Sequence, residues 1–366
     1  MNQLSKKSIL LHIGVPKTGT TALQAALANN RKELNSQNVL YPSQWRNAHH
    51  RAAWAITERT WGWKGRGGTT TPIKHWNSLV KETKTNKTVV LSSEFFCEAN
   101  QRQAKKIVSD LGLSRLEVVI TLRPFGKLLP SAWQQYLKYG VKLTYPQWLT
   151  AILNEPRESA PTPTFWMRHD HPTVIQRWVE LVGREKVTLV VVDDSDHDFV
   201  YQAFESMLNL SAGTLQKRKE KVSNRSMTLA EAEFLRQINL RQPDNSTWDK
   251  YESFVRRSMM HEILNSPISE ENPEKLTTPS WAADKANQIA LTYAEQIRSM
   301  DLKIIGDVAN LATEIKGSPD QKLPESIAIA TLAIGMQGVQ KNAMKRLPFN
   351  SLKNELLRRV KARFKR

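Results

Sequence analysis

The sequence predicts an α/β protein: a central parallel β-sheet flanked by helices, followed by a C-terminal helical extension. Three observations support this fold class. Four short runs are mainly apolar without a regular polar alternation, as is typical of strands buried on both faces of a sheet, and they lie at 8–15, 87–92, 116–122 and 187–192. Segments with helical periodicity lie between these runs. After about residue 228 the patterns are all helical, and they lie at 228–240, 248–264, 280–300 and 325–341.

The composition fits a globular chain of several parts. Of the 366 residues, 40% are hydrophobic and 24% are charged, which is enough apolar material for a large core. We expect an α/β core at 1–240, a helical extension packed on it at 241–340, and a basic amphipathic tail at 341–366. No apolar run reaches the ~20 residues that cross a bilayer. The single cysteine, Cys97, excludes an internal disulfide and favours a cytoplasmic setting.

Half of the net charge lies in the predicted tail. The chain carries +18, and its last 26 residues hold ten Lys or Arg and one acid, a net +9. Apolar residues recur there at helical spacing: Phe349, Leu352, Leu356, Leu357, Val360 and Phe364. The pattern fits a helix docked on its own domain with a basic face in solvent. It also fits peripheral binding to an anionic membrane surface or another polyanion.

The segment after the first apolar run predicts an anion-binding loop. Residues 14–21 read Gly-Val-Pro-Lys-Thr-Gly-Thr-Thr and lead from a strand into a helix. Glycines let backbone N–H groups turn towards a ligand, and a helix N-terminus adds partial positive charge. The loop differs from the nucleotide-binding P-loop, G-x-x-x-x-G-K-[ST]. Thr20 stands in the place of its lysine, and Lys17 lies at the front of the loop.

A second anion-binding pattern follows the third apolar run. Arg123 directly follows 116–122, and Ser131 lies eight residues later near a predicted helix start. A guanidinium grips a phosphate through two parallel hydrogen bonds, and a serine hydroxyl adds another donor. Ser226, in Asn224-Arg225-Ser226, fits either a ligand contact or the N-cap of the next helix.

These motifs resemble the donor site of sulfotransferases. The string PKTGTT at 16–21 is similar to their 5′-phosphosulfate loop, and Arg123 with Ser131 to their 3′-phosphate site. The similarity to bacterial-type members spans most of residues 8–240. It implies a P-loop-like sulfotransferase fold and transfer from 3′-phosphoadenosine 5′-phosphosulfate (PAPS) without a metal. The donor-binding residues that it implies are Pro16, Lys17, Thr18, Gly19, Thr20, Thr21, Arg123, Ser131 and Ser226.

The resemblance also implies catalytic roles. Lys17 would stabilise charge on the leaving oxygen. The family places a His or Glu base just after the second core strand, where Glu94 follows 87–92; His49 or His50 is the rival. The implied acceptor is a hydroxyl or amine of a carbohydrate, lipid or small molecule, with no nucleic-acid partner. Four tryptophans, Trp54, Trp61, Trp63 and Trp76, fit either the acceptor side or the core.

Two other functions stay open. A P-loop kinase or NTPase is one, because Val191-Val192-Asp193-Asp194 could imitate the acidic strand that helps hold Mg²⁺, although the displaced lysine argues against it. A non-enzymatic polyanion-binding protein is the other, and its binding would depend on the basic tail and fall steeply with salt.

Overall fold

The structure is a computed structural model that describes residues 4–45, 47–154, 161–216 and 225–346, with single tail positions at 353, 356–358, 360 and 363. Its strands are β1 Ile9–His12, β2 Val39–Leu40, β3 Thr60–Trp61, β4 Thr69–Thr70, β5 Thr88–Ser92, β6 Leu116–Leu122, β7 Val187–Val191 and β8 Lys303–Ile305.

Helices fill most of the remaining described chain. They are α1 Thr20–Asn29, α2 Arg31–Ser36, α3 Ala48–Ile56, α4 Lys74–Glu82, α5 Gln101–Leu111, α6 Phe125–Leu137, α7 Tyr145–Leu153, α8 Phe165–His169, α9 His171–Val182, α10 Phe199–Leu208, α11 Leu229–Leu240, α12 Trp248–Tyr251, α13 His261–Asn265, α14 Ser280–Ser299 and α15 Ile329–Arg346. A π-helical segment, Glu252–Met260, joins α12 to α13. Short 3₁₀ turns lie at Glu94–Glu98, Arg184–Lys186 and Val308–Ala312.

The central sheet is parallel throughout, which confirms the predicted fold class. Its six strands lie in the order β2-β5-β1-β6-β7-β8, and every neighbouring pair is parallel. From β1 the chain passes through α1 and α2 to β2, on one side of β1. From β6 it passes through α6 to α9 to β7, on the other side. The carboxyl ends of β1 and β6 therefore border a topological switch point, where open α/β sheets bind ligands.

Alternate side chains of β1 pack into two separate hydrophobic cores, one on each face of the sheet. Ile9 and Leu11 pack with the helices α3, α4, α5 and α9 on one face of the sheet. Leu10 packs with α1 and α10 on the other face. Both faces of the sheet are thus buried, which explains why the four predicted strand segments are mainly apolar on both faces.

A third core is purely helical and carries the predicted extension. It joins α6, α7 and α8 to α11 and to the helices that follow. The helical patterns after 228 are confirmed, but β8 differs from expectation, because it pairs in parallel with β7 and adds a strand from within the 241–340 segment. Three residues, Lys303–Ile305, are too few to give a strand period, so the sequence carried no signal for β8.

Most of the predicted tail lies outside the described residues. Described apolar positions include Leu356, Leu357 and Val360, which are 64%, 46% and 43% exposed. Among the described helices, none combines the length and hydrophobicity of a membrane span.

Buried histidines predict acid sensitivity. Burial lowers the pKa of His12 to about 3, and those of His49 and His171 to about 4. Below pH ~6.5 the unfolded chain therefore binds more protons than the folded protein, so stability falls as pH falls. Each of these histidines lowers the free energy of unfolding by about 2 kcal/mol at pH 5 relative to neutral pH. Melting temperatures at pH 7.5 and 5.0 test this, and an unchanged value would contradict it.

Candidate active site

Three predicted site residues meet at the carboxyl edge of the sheet. Lys17 lies in the loop after β1, Glu94 follows β5, and Arg123 follows β6. Because β5, β1 and β6 are neighbours in the sheet, the three loops emerge side by side at the topological switch point.

The loop between β1 and α1 depends on left-handed backbone conformations. Gly14 and Gly19 have φ of 84° and 81°, which glycine adopts without steric cost. A Cβ on Gly14 would also lie 2.7 Å from the Cβ of Glu94, so the close approach of these two loops requires glycine. Lys17 has φ of 72°, a conformation that costs a non-glycine residue about 1–2 kcal/mol and is commonest at functional sites.

A buried polar chain anchors this loop to the sheet. The Thr18 hydroxyl donates to the Val15 carbonyl at 2.7 Å and lies 2.6 Å from the Thr121 hydroxyl. Thr121 contacts His12 Nε2 at 3.1 Å, and His12 Nδ1 contacts Ser92 Oγ at 2.8 Å. The chain links loop, β6, β1 and β5 through fully buried groups. The side chain of Thr18 is thus committed inward and leaves only its backbone to a ligand.

The first turn of α1 faces outward beyond this anchor. Gly19 and Thr21 are exposed, Pro16 and Lys17 are half-buried, and the Thr20 side chain is buried. The first N–H groups of a helix have no partner within the helix. Together with the helix dipole, they make this turn suitable for binding an anion.

Arg123 connects the second pattern to the loop. Its Nη1 donates to the Lys17 carbonyl at 3.4 Å, and its Nε lies 2.9 Å from the Asp194 carboxylate. Lys127 Nζ lies 2.9 Å from the same carboxylate. Burial alone would raise the pKa of Asp194, but the hydrogen bond from Lys127 and the charge of Arg123 outweigh it and lower that pKa. Two cations and one anion leave a net positive charge beside the loop.

The two candidate bases lie together. His50 Nδ1 is 3.9 Å from Glu94 Oε2 and 2.8 Å from the Ser93 hydroxyl. Gln24, on α1, donates to the same Glu94 oxygen at 3.1 Å. The side chains of Glu94 and His50 are only 15% and 19% exposed. The Glu94 carboxylate is therefore held in place from α1 and α3 while part of it still meets solvent.

Charged groups of both signs act on the Lys17 ammonium. Burial lowers the pKa of its ammonium, the charge of Glu94 raises it, and the charge of Arg168 lowers it again, so that the net shift is downward. Arg168 is itself bound to Glu98 at 2.6 Å. An anion beside Lys17 would compensate the half-buried ammonium, which makes this lysine a good partner for a negatively charged group.

Ser131 and Ser226 lie less favourably than predicted. Ser131 is the seventh residue of α6, not near its first turn, and its hydroxyl donates to the Leu128 carbonyl at 3.0 Å. The N-cap of α11 is Thr228, not Ser226. Ser226 is exposed, and no hydrogen bond of the described residues ties its side chain to the loop after β1.

Two other candidates are structural. His49 is buried, its Nδ1 accepts the Ser92 N–H at 3.1 Å, and its Nε2 lies 2.9 Å from the Pro42 carbonyl. Both ring nitrogens are thus occupied, which leaves His50 as the histidine beside Glu94. Trp76 is fully buried in the core beneath the sheet.

Sequence reasoning missed Lys127, Gln24 and the role of Asp194. Lys127 precedes Ser131 by four residues, so helical spacing could have placed these two on the same face of α6. Gln24 carried no comparable signal. Asp194 was noted only as a possible magnesium ligand, because nothing in the sequence reveals that Arg123 and Lys127 converge on it.

Comparison with known proteins finds a structural neighbour. No family model matches the sequence, and no curated protein matches it. Among solved structures, a sulfotransferase from Alicyclobacillus acidocaldarius is similar over 57% of this chain and 85% of that chain, with 17% sequence identity and a TM-score of 0.42. A TM-score of this size is too low to support an assignment of function or of site residues.

Proposed function

We propose that this protein is a sulfotransferase that moves a sulfuryl group from PAPS to a hydroxyl or amine of an acceptor. One observation carries the proposal. Lys17 and Arg123 belong to two motifs that lie 106 residues apart, and they are in contact beside Glu94 at the switch point of the sheet. A cation, a phosphate-gripping guanidinium and a carboxylate base are the groups that this transfer needs.

The residues present fit a donor with two anionic ends. Backbone N–H groups at the start of α1 suit the 5′-phosphate, as helix N-termini suit phosphates generally. Arg123 and Lys127 suit the 3′-phosphate, because their shared partner Asp194 leaves them with a net positive charge. The donor, when bound, supplies the sulfuryl group.

The chain's own residues then have separable tasks. Lys17 stabilises the negative charge that grows on the leaving oxygen, since its ammonium lies half-buried where electrostatic interactions are strong. Glu94 takes the proton from the acceptor hydroxyl. His50, fixed by Ser93 and adjacent to Glu94, orients that carboxylate. Gln24 holds it from the opposite side.

The same geometry disfavours a kinase or NTPase. Thr20 occupies the place of the P-loop lysine, and its side chain is buried. Asp194, the candidate magnesium ligand, is bound by Arg123 and Lys127, and these cations would compete with a metal ion for its carboxylate.

Nucleotide binding separates these functions. We expect 3′-phosphoadenosine 5′-phosphate (PAP), without metal, to raise the melting temperature strongly, because a ligand that binds only the folded state stabilises it. ADP, which lacks the 3′-phosphate, should do so weakly. Stabilisation by ATP with Mg²⁺ alone would overturn the proposal in favour of an NTPase, and the absence of any response would favour the polyanion-binding protein.

Replacing Arg123 should specifically weaken recognition of the 3′-phosphate. Arg123→Ala removes charge-assisted hydrogen bonds that are worth about 1.5–3 kcal/mol, so we expect PAP affinity to fall about 10- to 100-fold and the preference for PAP over ADP to shrink. Calorimetric titration measures both affinities. Arg184→Ala is the matched control, because Arg184 is exposed and pairs only with Asp301 among the described residues. An unchanged preference would place the 3′-phosphate elsewhere.

A further inference from the structure

A cavity of about 340 Å³ lies at the amino-terminal edge of the central sheet. Its walls come from the segments that lead into three neighbouring strands: residues 5–8 before β1, 85–86 before β5 and 114–115 before β6. The loop at 14–21, by contrast, follows β1 and lies at the carboxyl edge. Because β1 is four residues long, it separates the two places by about 13 Å. The cavity is therefore distinct from the candidate active site.

The lining of this cavity is basic. Lys6, Lys7 and Arg115 supply three positive charges, and the other five lining residues are serine, threonine or asparagine. None of the described residues around the cavity is therefore acidic. No ion pair of the described chain involves any of the three cations. The protein thus places three positive charges around one space without a counterion from its described part.

Arg115 is held in a fixed orientation by backbone carbonyl groups. Its Nε donates to the Lys7 carbonyl at 2.7 Å, and its Nη1 donates to the Thr83 carbonyl at 3.1 Å. Its Nη2 donates to the carbonyls of Thr85 and Lys87 at 3.1 and 3.4 Å. These acceptors are neutral, so the bonds orient the guanidinium and leave its positive charge uncompensated. Arg115 therefore ties together the segments before β1, β5 and β6 at the cavity.

The segment that carries the two lysines is tightly turned. Lys7 has φ of 68°, a left-handed conformation that is unfavourable for a residue with a Cβ. Its N–H donates to the Thr88 hydroxyl at 3.3 Å, and the Ser8 hydroxyl donates to the Ser5 carbonyl. Both lysine side chains stay exposed. Backbone strain of this kind is commonest at functional sites, and here it lies in the wall of the basic cavity.

The chemistry of the lining favours a ligand with several negative charges. Ammonium and guanidinium groups bind phosphate and sulfate oxygens through charge-assisted hydrogen bonds, and hydroxyl and amide groups donate to the same oxygens. A single carboxylate would balance only one of the three positive charges. The cavity volume lies at the lower end of the range of small-molecule sites, roughly 300–1,000 Å³, which suits a compact anion.

We propose that this cavity is a second anion-binding site, which takes a small ligand that carries phosphate or sulfate groups and at least two negative charges. Lys6 and Lys7 bind the anion from the segment before β1, and Arg115 completes the site from the segment before β6. The inference goes beyond the proposed sulfotransferase function and does not depend on it. Because the two sites lie at opposite ends of the same strands, both can be occupied at once.

Calorimetric titration of the full chain with inorganic pyrophosphate tests the proposal. We expect saturable binding that saturating PAP leaves unchanged. Lys6→Gln/Lys7→Gln should weaken it about 10- to 100-fold, as expected when charge-assisted hydrogen bonds are lost. Arg115 stays intact in this variant, because its bonds hold the cavity together. The matched control Lys250→Gln/Lys275→Gln, which removes the same charge from exposed positions of the helical extension, should bind pyrophosphate like the wild-type protein.

The outcomes distinguish this site from its alternatives. Competition by PAP would place pyrophosphate at the carboxyl edge instead, and equal weakening in the two double variants would reduce the binding to overall charge. Either result, or no binding at millimolar pyrophosphate, would overturn the proposal. Inorganic phosphate should bind about tenfold more weakly than pyrophosphate, and equal affinity would contradict the requirement for several charges. If PAP does not bind, the sulfotransferase function fails, while the comparison of the two double variants still tests this site.

Discussion

Lys17→Ala is expected to slow sulfuryl transfer by about 10²- to 10³-fold, the usual effect of removing one group that stabilises transition-state charge. The reason is local. The Lys17 ammonium is half-buried, and Glu94 is the anion that acts most strongly on it. No other lysine of the described chain lies in the loop after β1. The rate with labelled PAPS and an acceptor found by screening measures the effect.

Controls for this prediction address the fold. Alanine and lysine share the same constraint at the positive φ of residue 17, so the melting temperature should change little. Lys32→Ala, on the exposed side of α2, should retain full activity. A Lys17→Ala rate within fivefold of wild type would show that another group stabilises the leaving oxygen.

Glu94→Gln is expected to reduce the same rate by about 10²- to 10⁴-fold, the range for loss of a general base. The amide keeps the size of the carboxylate and can still bond to Gln24, but it cannot accept the acceptor's proton. PAP binding should persist, because Arg123 and the start of α1 are unchanged.

His50→Gln distinguishes the two candidate bases. His50 is 3.9 Å from Glu94, and we assign it a positioning role, so its replacement should cost about tenfold or less, between loss of a hydrogen bond and loss of a base. The distinguishing readout is kcat, which Glu94→Gln should lower about 10²- to 10⁴-fold and His50→Gln about tenfold or less. The reverse pattern would make His50 the base.

Local sequence patterns predicted the regular parts of the fold. The buried strands at β1, β5, β6 and β7 were each visible as an apolar run, because a strand covered on both faces leaves no polar alternation. The late helices were visible through their period. Strands of two or three residues, such as β2 and β8, are too short for any pattern and exist because a neighbouring strand offers its backbone groups.

Contacts across long sequence separations decided the site. The sequence suggested Arg123 and Ser131 as a pair. In the structure Arg123 instead contacts Lys17 and Asp194, the carboxylate that Lys127 also binds, and the Ser131 hydroxyl bonds to its own helix. The sequence could not decide whether His49 or His50 is the better candidate base, because the two are neighbours in one helix. The structure shows that both ring nitrogens of His49 already have hydrogen-bond partners.

The sequence alone determined the α/β class, the glycine-containing loop at 14–21 and the candidacy of Lys17, Glu94 and Arg123, because backbone preference, apolar period and residue chemistry are local properties. Only the tertiary structure decided which of these groups meet and that Asp194 is shared by two cations. Electrostatic interactions depend on distance and burial, and both arise when strands and helices far apart in the chain pack at one edge of the sheet.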